Sequence, residues 1–217
     1  MKKYGCLIVG TIVLSVGSFA HAMDLETLFR VPGVKLGIAK STGSVDITKK
    51  GQFNDVPFNS SNSVTPVVSL IQSPYYFSES SRWGYHTELS ASYFDLDYDD
   101  GDDDQFVGGD YKGYSVSFKP VLFYQWGNRK LCSSCKSWRV ELGAGVHYLN
   151  ADGKLKNADN SQEKFDSSGI GFNSHLGAVV NYKNWELGLR VVVPTRLNDD
   201  DIKVEHGLSS VSLGYRF

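Results

Sequence analysis

Residues Gly207–Phe217 read G-L-S-S-V-S-L-G-Y-R-F, and this stretch decides the fold class. Val211, Leu213, Tyr215 and Phe217 are apolar, and the residues between them are small or polar. A period of two predicts a β-strand with one face in an apolar medium and the other in a polar one. The stretch also has about the length of a tilted strand that crosses a lipid bilayer.

A closing strand that ends in Tyr215-x-Phe217 resembles the C-terminal signature of bacterial outer-membrane β-barrels. The likeness is to small porin-like barrels of the OmpA-transmembrane and OmpX type, and it covers most of residues 34–217. It implies an all-β fold, namely an eight-stranded antiparallel up-and-down transmembrane β-barrel with long extracellular loops and short periplasmic turns. In that family the C-terminal strand is read by the outer-membrane assembly machinery, which the resemblance therefore implies as a partner. Outer-membrane lipid and lipopolysaccharide would surround the barrel.

The first 22 residues have the pattern of a secretory signal peptide. Lys2 and Lys3 precede an apolar run over Leu7–Ala20, and Ala20-His21-Ala22 is a small-residue cleavage site. We expect cleavage after Ala22, with an uncleaved anchor as the alternative. Residues 1–22 are then the signal peptide, residues 23–33 an N-terminal periplasmic segment, and residues 34–217 the barrel in the outer membrane of a Gram-negative bacterium.

The charge of the mature chain argues against a nucleic-acid partner. Removing 22 of the 217 residues leaves 195, and it removes two lysines but no acid, so 20 basic and 24 acidic residues remain, a net charge of −4. Nucleic-acid binding would call for a basic stripe. No apolar stretch of about 18 residues remains for a transmembrane helix, whereas a barrel is compatible with a mean hydropathy of −0.25 because half of each strand faces a polar interior.

Eight segments alternate with a period of two. Their predicted bounds are Val34–Thr48, Val64–Phe77, Trp83–Leu96, Lys112–Trp126, Trp138–Ala151, Ser168–Lys183, Trp185–Arg196 and Gly207–Phe217. The apolar face is clear in all of them except the second, where the parity is ambiguous. The connections are predicted to alternate between long loops and short or intermediate turns, as in a barrel with one end outside the cell. The long ones are Thr48–Asn62, Asp97–Tyr111, Asp152–Ser167 and Leu197–His206, and the shorter ones are Ser78–Arg82, Gly127–Ser137 and the two-residue hairpin Lys183–Asn184.

All four tryptophans lie at strand ends beside the shorter connections. Trp83, Trp126, Trp138 and Trp185 share the parity of the apolar residues of their strands, and Phe217 lies near their level. Tryptophan is favoured where an apolar body meets water. The pattern predicts an aromatic girdle at the lipid interface, with the core of a soluble sandwich as the alternative.

The opposite parity carries charges that need partners inside a narrow barrel. An eight-stranded barrel has room for side chains and not for a wide channel, and a lone buried ion is costly. We therefore expect Arg139 or Arg190 to pair with Glu141 or Glu186. A structural salt-bridge network is the main interpretation, and a narrow proton or ion path is the alternative.

Cys132 and Cys135 lie in the turn between the fourth and fifth segments, and they are the two cysteines that remain after export. An oxidising compartment favours an intraturn disulfide. A redox pair, a metal site and free thiols are the other interpretations, although a redox pair would need a helix N-terminus and zinc would need two further ligands.

The densest charge run is Asp95–Asp104, in which Asp95, Asp97, Asp99 and Asp102 are weak candidates for a Ca²⁺ site. Alternating oxygen ligands suit Ca²⁺, but the glycine is one position late for an EF-hand and the bidentate glutamate is missing. A solvated loop is the alternative interpretation.

The expected function is an envelope-structural or surface-interaction role through acidic extracellular loops, with no cofactor and an unknown external ligand. A lipid A- or phospholipid-modifying enzyme and a narrow channel are alternatives. Catalysis needs a nucleophile and base within reach, and Ser174 and His175, being adjacent on a strand, point to opposite faces. No catalytic residue is predicted. A lipocalin-like periplasmic barrel is a third, soluble alternative.

Overall fold

The computed structural model describes residues 33–47, 55–60, 64–99, 106–128, 136–199 and 202–217. The predicted signal peptide and all of segment 23–33 except Gly33 lie outside these residues. Across the described ranges, none of the chain forms a helix long and apolar enough to cross a membrane.

Ten β-strands form one closed antiparallel sheet. They are β1 (Gly33–Ile47), β2 (Asp55–Asn59), β3 (Thr65–Ile71), β4 (Tyr75–Tyr76), β5 (Trp83–Tyr98), β6 (Phe106–Gly127), β7 (Lys136–Asn157), β8 (Gln162–Tyr182), β9 (Trp185–Asp199) and β10 (Ile202–Arg216). From β5 to β10 each strand pairs with the next along the chain. The sheet closes where β10 pairs with β1, from Gly33 opposite Arg216 to Ile47 opposite Ile202. We call the end with Gly33 and Arg216 the terminal end and the other the loop end.

The three short strands β2, β3 and β4 together fill one of eight positions in the ring. β2 and β3 pair successively with β1 and β5, and β4 pairs with the beginning of β5. Where β2 gives way to β3, the Ser41 amide donates to Ser60 Oγ at 2.9 Å and the Ser41 hydroxyl shares a 2.7 Å hydrogen bond with Thr65. The inward residues change from even numbers in β2 to odd numbers in β3. This change explains the ambiguous parity of the second segment, and the prediction of an eight-stranded up-and-down barrel is confirmed.

A belt of exposed apolar side chains surrounds the barrel. It includes Leu36 and Ile38 on β1, Leu89 on β5, Val116 and Phe118 on β6, Leu142 and Val146 on β7, Leu176 and Val180 on β8, Leu189 and Val191 on β9, and Val211 and Leu213 on β10. A continuous apolar surface of this extent is far larger than a protein in water presents. Because the belt follows the outward parity of these seven strands, it is the lipid-facing surface of a transmembrane barrel.

The outward face changes from apolar to charged towards the loop end. On β7 the outward residues beyond Tyr148 include Asp152, Lys154 and Lys156, while Leu149 and Leu155 point inward and are buried. The medium outside the barrel changes from acyl chains to water at this level, so the apolar parity moves to the inside. Charged residues outside and apolar residues inside are typical of a soluble barrel wall.

Two of the predicted long loops are wrong, because the strands continue beyond the level at which their faces exchange. The segment Asp152–Ser167 is not a long loop, because β7 continues to Asn157 and β8 begins at Gln162. The segment Leu197–His206 is likewise mostly strand, since β9 ends at Asp199 and β10 begins at Ile202. The two-residue hairpin at Lys183–Asn184 is confirmed, and Lys183 takes the left-handed conformation there with φ of 56°.

Candidate functional site: the barrel interior

Seven charged side chains form one network inside the half of the barrel nearer the terminal end. Its members are Lys35, Glu88, Arg139, Glu141, Glu186, Arg190 and Arg216. All are buried except Arg190, which is slightly exposed. We call this set the charge network.

Glu186 forms ion pairs with three cations of the charge network. Lys35 Nζ lies 2.5 Å from Glu186 Oε1, and Arg139 Nη2 lies 2.9 Å from the same oxygen. Arg216 approaches Glu186 Oε2 with Nε at 3.0 Å and Nη2 at 2.8 Å. Both carboxylate oxygens of Glu186 therefore lie next to a cation, as in strong charge-assisted pairs.

Arg190 spans the lumen from β9 to β5, two strands that are not neighbours in the ring. Its guanidinium binds both oxygens of Glu88, with Nη2 at 2.7 Å from Oε2, and Nη2 also lies 3.4 Å from Glu141 Oε2. The third carboxylate, Glu141, accepts from Arg139 Nε at 2.6 Å. The charge network therefore cross-links opposite walls of the barrel.

The four residues predicted for the lumen, Arg139, Glu141, Glu186 and Arg190, do lie together. However, the main partner of Arg190 is Glu88, and not Glu141 or Glu186 as expected. Lys35 is a member that the sequence analysis missed. The sequence feature that indicates its position is the alternation over residues 33–38. Val34, Leu36 and Ile38 form the apolar face, so Lys35 lies on the inner face.

A polar chamber lies above the charge network, towards the loop end. It is a cavity of about 30 Å³, and four of the side chains that line it are Lys119, His147, Asn173 and His206. Serine hydroxyls line it in two hydrogen-bonded pairs, Ser90 with Ser117 at 2.7 Å and Ser92 with Ser115 at 2.9 Å. We call this cavity the polar chamber.

An apolar plug fills the interior above the polar chamber. Its buried members are Val45, Val56, Phe58, Phe94, Leu96, Phe106, Tyr111, Leu149, Ala151, Leu155, Phe165, Leu197 and Val204. Aromatic rings tie it together, with ring centroids 5.3 Å apart between Phe94 and Tyr111 and 5.6 Å apart between Phe58 and Tyr111. The plug differs from the prediction, since several of its members lie in segments that the sequence pattern predicted as loops.

His175, which was considered for catalysis together with Ser174, is enclosed in the interior, and so is His147. His147 and His175 are both buried on the inner face, while Ser174 is on the opposite parity. The ring of His175 occupies the space that a side chain at Gly143 would need. The glycine therefore makes room for the imidazole, and the arrangement is one of packing.

The predicted girdle residues lie on the outer face at the terminal end. Trp83, Trp138 and Trp185 are each about half exposed, and Phe217 is 78% exposed. Trp126 stacks on Trp138 with ring centroids 3.8 Å apart and an interplanar angle of 10°. Further ring contacts join Trp83 to Tyr124, Trp185 to Tyr215, and Tyr215 to Phe217. These side chains therefore form a continuous aromatic cluster on the outer face, and its position at a lipid interface stays a prediction.

The remaining predicted sites are at or beyond the edge of the described chain. Asp95, Asp97 and Asp99 are exposed at the end of β5, whereas Asp102 lies outside the described residues. Within the parts of the chain that the structure describes, no group of three or more acidic, histidine or cysteine side chains is arranged to hold a metal ion. Cys132 and Cys135 also lie outside these parts, so the disulfide stays a prediction.

Comparison with solved structures finds small outer-membrane β-barrel proteins. The attachment invasion locus protein Ail of Yersinia pestis is 15% identical, with 86% of this chain and 99% of Ail covered and a TM-score of 0.39. Neisserial surface protein A is 12% identical, with 85% and 97% covered and a TM-score of 0.43. The outer-membrane enzyme PagL is 16% identical, with 83% and 99% covered and a TM-score of 0.42.

No family model and no curated protein matches the sequence. The fold is therefore assigned from the geometry of the chain itself. A closed ring of eight antiparallel positions, with apolar residues around it and paired charges within it, is the fold of the small outer-membrane β-barrels.

Proposed function

We propose that this chain is an integral protein of the outer membrane of a Gram-negative bacterium with an envelope-structural or surface-interaction role. The protein would be exported across the inner membrane, inserted through its C-terminal strand by the assembly machinery, and surrounded by lipid and lipopolysaccharide. The loop end would face outward, with its acidic segment around Asp95–Asp104 in contact with the surroundings.

The observation that carries this proposal is the apolar plug at the loop end. It fixes the wall of the barrel beyond the lipid belt, where the outward residues are charged, among them Asp95, Lys112, Lys154, Lys164 and Asp166. A rigid wall with fixed charges is suited to binding at a surface, because little conformational entropy is lost when a partner docks. We call these outward residues the loop-end surface.

The interior weighs against the narrow channel. A conducting path would have to cross the charge network and then the apolar plug, and in a barrel of eight strands side chains fill the interior. The enzyme alternative is weakened by the position of His147 and His175, which are enclosed in the barrel away from the lipid that such an enzyme would modify.

The orientation can be tested by labelling with a membrane-impermeant maleimide on intact cells. In a background with Cys132 and Cys135 replaced by serine, we expect Ala158→Cys at the loop end to be labelled and Ser80→Cys at the terminal end to be labelled only after permeabilisation. Both positions are exposed turn residues. The reverse pattern would mean that the loop end faces the periplasm.

The role itself can be tested by deleting the gene and restoring it. Uptake of a hydrophobic dye reports an envelope role, and attachment of cells to a coated surface reports a surface role. The wild-type gene should restore whichever property is lost. The double variant Lys154→Glu/Lys164→Glu, which changes the loop-end surface and not the lipid belt, should restore dye exclusion but not attachment. If deletion changes neither property, the proposed role is wrong.

A further inference from the structure

The polar chamber contains a buried cation without a salt bridge in the described part of the chain. Lys119 is 2% exposed, and in the described part of the chain no carboxylate oxygen lies within 4 Å of its Nζ atom. Glu88 is directly opposite Lys119 on β5, but both of its oxygens are bound by Arg190. A buried ammonium without a salt bridge is costly, so an anion in the chamber would stabilise the charged form of Lys119.

The interior as a whole also has an excess of positive charge. The charge network and Lys119 together contain five bases, Lys35, Lys119, Arg139, Arg190 and Arg216, against three carboxylates, Glu88, Glu141 and Glu186. The histidines, if charged, would add to the positive excess. An enclosed interior with this balance attracts an anion, since charges are screened less there than at the surface.

The wall of the polar chamber supplies hydrogen-bond donors. In each of the pairs Ser90–Ser117 and Ser92–Ser115 one hydroxyl donates to the other, so the second hydroxyl keeps a proton that can point into the cavity. His147 Nδ1, His206 Nε2 and Asn173 Oδ1 are buried there without a protein partner. The side-chain amide of Asn173 can present either its oxygen or its nitrogen.

We propose that the polar chamber binds a small monovalent anion of the size of chloride beside Lys119. A cavity of about 30 Å³ is small, since a single water needs roughly 10–15 Å³ of such space. It therefore has room for one monatomic ion or about two waters, and it is too small for a phosphate or a sugar.

The test compares chloride with a bulky anion at constant ionic strength. The protein is refolded in detergent, and urea unfolding is followed by tryptophan fluorescence while sodium gluconate is replaced stepwise by sodium chloride. For the wild type we expect the unfolding midpoint to rise with chloride and then to level off, because a ligand that binds only the folded state stabilises it. Crystals grown in sodium bromide should show anomalous density next to Lys119 Nζ.

Three variants distinguish anion binding in the polar chamber from general effects of salt on stability. Lys119→Met removes the cation at similar volume, and it should fold, lose the chloride dependence and lose the bromide peak. Ser92→Ile keeps Lys119 but fills the cavity, and it should also lose the dependence. Lys112→Met on the same strand changes an exposed lysine and should respond like the wild type. A wild type that is indifferent to chloride, or a Lys119→Met protein that responds equally, would overturn the proposal.

Discussion

Replacing Glu88 by leucine is expected to destabilise the folded barrel by about 3–5 kcal/mol, the typical cost of removing one partner of a buried ion pair. The loss is large because Arg190 would keep its charge in the interior without the carboxylate that binds both of its terminal nitrogens. Lys35, whose Nζ lies 3.8 Å from Glu88 Oε2, would lose a second interaction. Urea unfolding of the refolded protein in detergent measures the change.

The same experiment has an internal control in the double variant Glu88→Leu/Arg190→Leu. Removing both charges leaves no unpaired ion, so the double variant should be clearly more stable than the sum of the two single changes predicts. Glu79→Gln, in the exposed turn at the terminal end, should change the free energy of unfolding by less than about 0.5 kcal/mol. If the free energy of unfolding of Glu88→Leu differs from that of the wild type by less than about 1 kcal/mol, the Glu88–Arg190 pair is not a structural cross-link.

Phe94→Ala is expected to cost about 3–5 kcal/mol, as for other large-to-small changes of buried aromatic residues. Phe94 is fully buried in the apolar plug, where its ring stacks on His206 with centroids 4.2 Å apart and contacts Tyr111. The surrounding residues belong to a closed sheet, so the wall can relax little into the cavity. The free energy of unfolding from urea titration is again the measurement.

Val107→Ala is the matched control for Phe94→Ala, because Val107 is 55% exposed on the outer face at the same end of the barrel. We expect it to change stability by less than about 0.5 kcal/mol. A planar-bilayer recording adds an independent readout, in which the wild type should give no current steps because the plug closes the lumen. A small effect of Phe94→Ala together with steady conductance in the wild type would contradict the sealed interior.

The alternation of the sequence was sufficient to predict the ring and the faces of the lipid belt. Val211, Leu213 and Tyr215 have a period of two, and the position of the tryptophans indicated that the apolar parity faces outward. The same alternation led to errors at the loop end. Where Asp152, Lys154 and Lys156 face water, the apolar parity changes sides, and a strand that exchanges its faces was read as a loop.

The pairing of the interior charges could be predicted only in part. Glu141 follows Arg139 by two residues on β7, so the alternation places both side chains inside the barrel and next to each other. Glu186 is on β9, which is separated from β7 by β8, so the alternation places it inside without fixing its partner. Arg190 and Glu88 are on strands β9 and β5, which lie across the lumen from each other, and their contact depends on the diameter of the closed barrel. The sequence pattern of a single strand does not indicate that diameter. The change of inward parity between β2 and β3 could not be predicted from the alternation either, because it arises where two short strands share one position in the ring.

The pairing of β1 with β10 has a consequence for how the protein is made. The ladders from β5 to β10 join strands that follow one another, whereas this one joins Gly33 to Arg216 and can form only when most of the chain has been synthesised and aligned. Contacts between such distant positions form slowly. Until they form, one edge of β1 and one edge of β10, each of 15 residues, have backbone N–H and C=O groups without hydrogen-bond partners. Such groups are costly in the hydrocarbon layer of a bilayer, where no water can bind them. Entry into the bilayer and completion of the seam must therefore happen together.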